Sequence, residues 1–148
     1  MPPTSTPVRP PLAPADIAAR LRLSATRLAR RLRQESGAGL SPSQQSALAV
    51  IANHGPLTLG ALAEHERVAP PSITKVVSKL ECDGLVTRAP DPADRRVCRV
   101  AISPEGTALL EESRRRKTAW LAARIDELDA ESRRRLADAL DVLDELIS

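Results

Sequence analysis

The chain has 148 residues, enough for one domain or one compact two-part subunit with a buried core. Apolar residues make up 42% of it but aromatic residues only 1%, since Trp120 stands without any Phe or Tyr; the core must be aliphatic, and a large aromatic-lined ligand cavity is not expected. A net charge of +3 does not by itself announce a nucleic-acid partner, no run of about 18 apolar residues marks a membrane span, and Met1 to Pro14 lacks the apolar segment of a signal peptide, which together point to a cytoplasmic protein.

Met1 to Pro14 holds six of the thirteen prolines with Thr and Ser between them and reads as an extended arm without a fold of its own. From Ala15 to about Glu35 a helix is predicted, with Ile17, Leu21, Ala25, Leu28 and Leu32 on one apolar stripe and Arg20, Arg27, Arg30, Arg31 and Arg33 largely off it. Gly37 and Gly39 end it. Ser41-Pro42-Ser43-Gln44 has the form of a capping box with proline at the first helical position, opening a helix through Leu48 and Ile51 that stops at Gly55-Pro56. Thr58 is a candidate N-cap for the next helix, whose apolar residues are Leu59, Leu62 and Ala63.

The tight connection Arg67-Val68-Ala69 leads into a further helix, opened by Pro70-Pro71 and closed at Gly84. Ile73, Val76, Val77 and Leu80 fall at i, i+3, i+4 and i+7, so they form one buried stripe. The opposite face carries Pro71, Ser72, Thr74, Lys75, Ser78 and Lys79, short hydroxyls and long cations that suit phosphate oxygens and base edges in a major groove. Lys75, Ser72 and Thr74 are best placed to reach bases, and Lys79 a phosphate. Two β-type runs follow, Leu85 to Arg88 and Val97 to Ile102, separated by the turn-rich Ala89 to Arg96. Two helices and a hairpin in this order make a winged helix-turn-helix, and the partner it implies is double-stranded DNA. The same helix taken alone could equally be a solvated amphipathic one; the hairpin behind it decides for DNA.

Ser103-Pro104 again reads as a cap followed by a first-turn proline and begins a long helix to about Leu128, with Leu110, Leu121, Ile125 and Leu128 on a stripe. Arg114, Arg115, Arg116 and Lys117 interrupt it, read as a solvated turn or a contact to acidic side chains of a partner helix. After a break at Asp129-Ala130-Glu131 the last helix repeats Leu136, Leu140, Leu143 and Ile147, widened by Ala139, Val142 and Leu146. One chain would have difficulty covering three such stripes, so a homodimer is expected, with Ile17, Leu21, Leu121, Ile125, Leu136, Leu140, Leu143 and Ile147 at its contact. The expected fold is mainly α with a small β-hairpin wing. Residues 1–14 form the arm, 15–40 and 104–148 the helical dimerisation region, and 41–103 the DNA-binding domain.

Chemistry other than binding finds little support. No nucleophile-base pair, acid pair or phosphate-cradling glycine loop suggests catalysis, and no cofactor is implied. His54 and His65 lie eleven residues apart without a further ligand at metal-binding spacing, so no metal site is expected. Cys98 alternates with Val100 and Ile102 and should point into the core of the wing as a small hydrophobe. Cys82 extends the exposed line of Lys75 and Ser78 but sits between Glu81 and Asp83, a setting that argues against redox sensing.

Three stretches carry a resemblance to a known family. Ser72-Ile73-Thr74-Lys75-Val76-Val77 with Leu80-Glu81 and Gly84-Leu85-Val86, then Asp91-Pro92-Ala93-Asp94-Arg95-Arg96, then Ile102-Ser103-Pro104-Glu105-Gly106 are similar to the recognition helix, the wing signature and the start of the fifth helix of the MarR family of transcriptional regulators. The resemblance runs from about residue 15 to the end. It implies a homodimer with the first, fifth and sixth helices interleaved, a palindromic operator, and release of DNA by a small-molecule effector or an oxidant. It also makes Arg96 the residue inserted into a minor groove, with Asp94 orienting its guanidinium and Arg95 on a flanking phosphate; the alternative is an exposed Asp94–Arg96 ion pair that only stiffens the turn. The chain departs from the family in having Ala69 where an Asp, Ser or Thr would cap the recognition helix, few aromatics for a ligand pocket, and no cysteine in the first helix. The reading is a regulator, most simply a repressor. A winged-helix module for protein–protein contact and an architectural DNA-binding protein without sequence preference remain as alternatives.

Overall fold

The structure is a computed structural model that describes residues 11–148, so most of the expected arm lies outside the described residues. Residues 11–13 have no regular structure, and Pro14 already opens the first helix, one position before the predicted start. The element order is α1 (Pro14–Glu35), α2 (Pro42–His54), β1 (Leu57–Thr58), α3 (Leu59–Glu66), α4 (Pro70–Cys82), β2 (Val86–Pro90), β3 (Cys98–Ile102), α5 (Pro104–Asp126) and α6 (Ala130–Ile147).

Local chemistry sets most of these boundaries. The Ser41 hydroxyl accepts from the Gln44 amide at 3.2 Å while the Gln44 carboxamide accepts from the Ser41 amide at 2.9 Å, a complete capping box at the start of α2. Thr58 caps α3 through the Ala61 amide at 3.1 Å, and Ser103 caps α5 through the Gly106 amide at 3.0 Å. At the end of α4 the Leu85 amide donates back to the Leu80 carbonyl at 2.9 Å across Gly84, whose φ of 74° is open to glycine at no steric cost. The break before α6 falls slightly earlier than expected, because Asp129 is not part of a loop but the N-cap, accepting from the Ser132 amide at 2.7 Å.

The wing is a three-stranded antiparallel sheet of order β1-β3-β2, where the sequence predicts only the β2–β3 hairpin. Leu57 pairs with Val100 and Thr58 with Arg99, so the entry to α3 is tied to the wing. On the other side the register runs from Val86 opposite Ile102 to Pro90 opposite Cys98, which carries β2 two residues further toward the tip than predicted. Gly106 fixes where α5 leaves the lobe. A Cβ there would collide with the Leu85 carbonyl, so only glycine lets the helix start directly against the base of the wing.

The core is aliphatic, as the composition requires. Leu48 and Ile51 of α2, Leu62 of α3, Ile73, Val77 and Leu80 of α4, Val86 of β2 and Val100 of β3 are the largest fully enclosed side chains, all within the winged lobe. By contrast α1 and α6 bury no residue, and α5 buries only Gly106 and Ser113. Helix α1 packs along α5. At that junction half-buried Trp120 lies between two guanidinium groups, Arg31 Cζ at 5.4 Å and Arg124 Cζ at 5.5 Å from its ring centroid. Arg114, Arg115 and Arg116 lie exposed on one turn of α5, which runs through them and half-buried Lys117 unbroken, and Arg115 and Arg116 both pair with Glu112 of their own helix. Among the described residues no helix is long and apolar enough to cross a membrane.

Candidate nucleic-acid interface

Burial of Ile73, Val77 and Leu80, with Val76 half-buried, turns the predicted face of α4 outward. Pro71, Ser72, Thr74, Lys75, Ser78 and Lys79 are all exposed. They are not equally free. The Thr74 hydroxyl donates to the Pro70 carbonyl at 3.0 Å, leaving its methyl group and oxygen lone pairs for a ligand. Ser78 accepts from Arg88, and the Lys79 ammonium pairs with Asp83 at 3.0 Å, which raises the Lys79 pKa first through that hydrogen bond and then through the carboxylate charge. Among the described residues only Ser72 and Lys75 on this face have side chains without an intramolecular polar partner. The pair is exposed and only weakly held in water, so it competes with a phosphate for Lys79 without preventing that role.

The expected capping defect at Ala69 is smaller than the residue type suggests. Pro70 and Pro71 have no amide hydrogens, and the next two amides, of Ser72 and Ile73, both bond to the Ala69 carbonyl at 3.0 and 3.3 Å. Few donors are left for a capping side chain to satisfy. The α3–α4 turn instead carries backbone strain at Arg67, with φ of 53°, the one non-glycine residue in the left-handed region among the described residues.

At the wing, the residue that organises the tip is Asp91, the first residue of the Asp91-Pro92-Ala93-Asp94-Arg95-Arg96 stretch, whose anchoring role is not visible from the sequence alone. Its buried carboxylate accepts from the Ala93 amide at 2.7 Å, the Asp94 amide at 3.3 Å and the Arg99 guanidinium, and Arg99 also donates to the Pro56 carbonyl at 3.4 Å. Arg99 first, and then the Ala93 amide, hold the Asp91 carboxyl below its usual range. The Asp-Pro-x-Asp pattern was the available signal, since Asp before Pro followed by a self-bonding turn is the usual form of an Asx-turn. Above this anchor, Asp94 accepts from both the Arg96 amide at 3.1 Å and the Arg96 Nε at 3.2 Å, while the Arg96 side chain is 92% exposed. Arg95 is exposed as well.

The remaining candidates separate in the same way. Cys82 is exposed, and Cys98 is only half-buried rather than enclosed in the wing core. His54 and His65, distant in sequence, meet across α2 and α3 with ring centroids 4.3 Å apart. Ile17, Leu136, Leu140 and Ile147 are exposed, while Leu21, Leu121, Ile125 and Leu143 are partly covered.

A recognition-type helix turned outward beside a short ribbon with an exposed arginine tip defines a winged helix-turn-helix, the DNA-binding fold of transcriptional regulators. Residues 40–98, from before α2 to the start of β3, match the MarR family model. Over 134 residues the chain is 42% identical to the HTH-type transcriptional regulator ML2140 of Mycobacterium leprae, covering 90% of this chain and 94% of that one. The HTH-type transcriptional repressor MdtR of Bacillus subtilis is 34% identical over 74 residues, half of this chain and 48% of that one. In structure, a MarR family protein from Bacillus stearothermophilus matches with a TM-score of 0.73 at 26% identity, over 90% of this chain and 94% of that one. The chain belongs to the MarR family of transcriptional regulators.

Proposed function

We propose that this regulator is a homodimeric, sequence-specific repressor that reads a palindromic operator through residues 41–103 and joins its subunits through residues 15–40 and 104–148. The observation that carries the reading is the pairing of two exposed, differently built contacts on one lobe: the hydroxyl-and-cation face of α4 and the Asp94-oriented Arg96 at the wing tip. Helix α4 enters a major groove with Lys75 and Ser72 toward base edges, and Arg96 enters the adjacent minor groove with Arg95 on a phosphate. The repressor role is supported by the name of the relative MdtR. A regulator working on chromosomal DNA belongs in the cytoplasm.

Dimerisation is supported by the apolar residues left open on α1 and α6, and release of DNA by a small ligand by a cleft of about 340 Å³ between α1 and α2, lined by Arg30, Arg33, Gln34, Leu40, Pro42 and Gln45. The test is binding to duplexes enriched from a random-sequence pool by the wild-type chain, compared with scrambled duplexes at one salt concentration. Lys75→Ala should lose about 1–3 kcal/mol on the enriched duplex only. Arg96→Ala should weaken it by more than about tenfold at nearly unchanged Tm, with Asp94→Ala weaker in effect. Enrichment of no common sequence by the wild-type chain would sink the reading.

A further inference from the structure

The aliphatic stripe of α4 sets which face the helix turns to the lobe, and directional polar contacts from the wing can fix the remaining few degrees of its rotation. One side chain supplies them from the wing. Arg88 follows buried Val86 by two positions on β2, so it leaves the same side of the sheet, toward α4. Its Nη2 donates to Ser78 Oγ at 3.2 Å, and its Nε stands 2.7 Å from Glu81 Oε2, so the guanidinium spans two residues three positions apart on one side of the helix. The Arg88 side chain is only 28% exposed, and its Nε is buried with the N–H not aligned to any acceptor, so the group is held by enclosure as well as by charge. Among the described residues no other side-chain hydrogen bond or ion pair joins β2 to α4.

We propose that Arg88 is a positioning residue that fixes the rotation of the recognition helix against the wing, so that Lys75 and Arg96 meet one duplex together. This rests on the DNA-reading role given to α4 and the wing. A planar fork is what the task requires, because two acceptors on a helix must be held from one strand position; lysine offers a single point charge on a flexible stem. Glu81 gives the proposal a sign. As a mere surface carboxylate on the DNA-binding lobe, it repels the phosphates and its removal strengthens binding. As half of the brace, its removal weakens binding.

The experiment measures affinity for the enriched and scrambled duplexes described above, with Tm recorded for each variant. Arg88→Lys, which keeps the charge, should lower affinity for the enriched duplex by more than about fivefold while staying within about twofold of wild type on the scrambled one, so that the specificity ratio falls. Glu81→Ala should show the same selective loss at a half-exposed site where alanine favours the helix, so it carries the test even where Arg88→Lys folds poorly. Binding of Glu81→Ala to the enriched duplex at or above wild-type affinity overturns the proposal. So does an equal loss on both duplexes for Arg88→Lys, which would make Arg88 a plain phosphate contact. A wild-type chain that enriches no sequence overturns the DNA reading beneath it and this proposal together, whereas the first two outcomes leave that reading standing.

Discussion

The winged lobe and the terminal helices solve the problem of covering apolar surface in opposite ways. In the lobe Leu48, Ile51, Leu62, Val77, Leu80 and Val100 are completely enclosed by the chain itself, while on α6 Leu140 is 53% exposed and Ile147 82%. The difference teaches that one half of the molecule is finished by intrachain packing, whereas the other leaves apolar side chains of α1 and α6 open. An aliphatic core can be as small as this lobe because β1 and β3 bring α3 and the wing onto it; two long helices have no such lid within one chain.

The largest expected effect breaks the comparison from the helical side. Leu140→Asp combined with Leu143→Asp places two carboxylates on the open face of α6, and light scattering should report a fall from two chains to one, with loss of far-UV helicity. An unchanged dimer would mean that α6 is not the contact. From the lobe side, Leu62→Ala should cost about 3 kcal/mol in urea unfolding while leaving the light-scattering mass as it was. A mass change there would show that the two halves are not separately built.

A smaller effect distinguishes the wing from the helix beneath it. The Asp91 carboxyl is held below its ordinary value near 3.8, so its ion pair and amide bonds stabilise the folded wing at all pH values above that and are lost as pH falls through the lower, folded-state value. The amide resonance of Ala93 should therefore titrate below about pH 4 while those of Ser72 to Lys75, in the carboxylate-free first half of α4, hold still, and Asp91→Asn should remove the step. Titration of all these amides together would make the wing and α4 one cooperative unit. The smallest effect is expected for Ala69→Ser, about 0.5 kcal/mol of added stability rather than the usual value near 1, since the two prolines leave little for a cap to satisfy. A gain of the full size in thermal melts would contradict that account of the helix start.

What could be seen in the sequence was whatever rests on a few neighbouring residues. Ser41 with Gln44, Thr58 and Ser103 announce their helices because capping is a contact over three positions, and Ile73, Val77 and Leu80 announce the buried face of α4 because helical spacing does the same. β1 was not visible, since two residues cannot show an alternating pattern and Leu57 is a strand only because Val100 lies beside it. The same reason hid the Asp91–Arg99 anchor, the meeting of His54 with His65, and the reach of Arg88 to Ser78 and Glu81, all set by tertiary placement. For the outward face of α4, exposure was legible and availability was not: Lys79 and Ser78 point outward as expected but already have partners, which no pattern of residue types discloses.

The placement of Trp120 has a practical side. Because the chain holds no Tyr and no other Trp, near-ultraviolet absorption and emission come from this one indole, set between Arg31 of α1 and Arg124 of α5. The optical signal therefore speaks for the helical half alone: emission follows the separation of α1 from α5, and events confined to the wing leave it dark. Paired with circular dichroism, which sees the helices of both halves, one unmodified protein carries its own means of timing the two against each other.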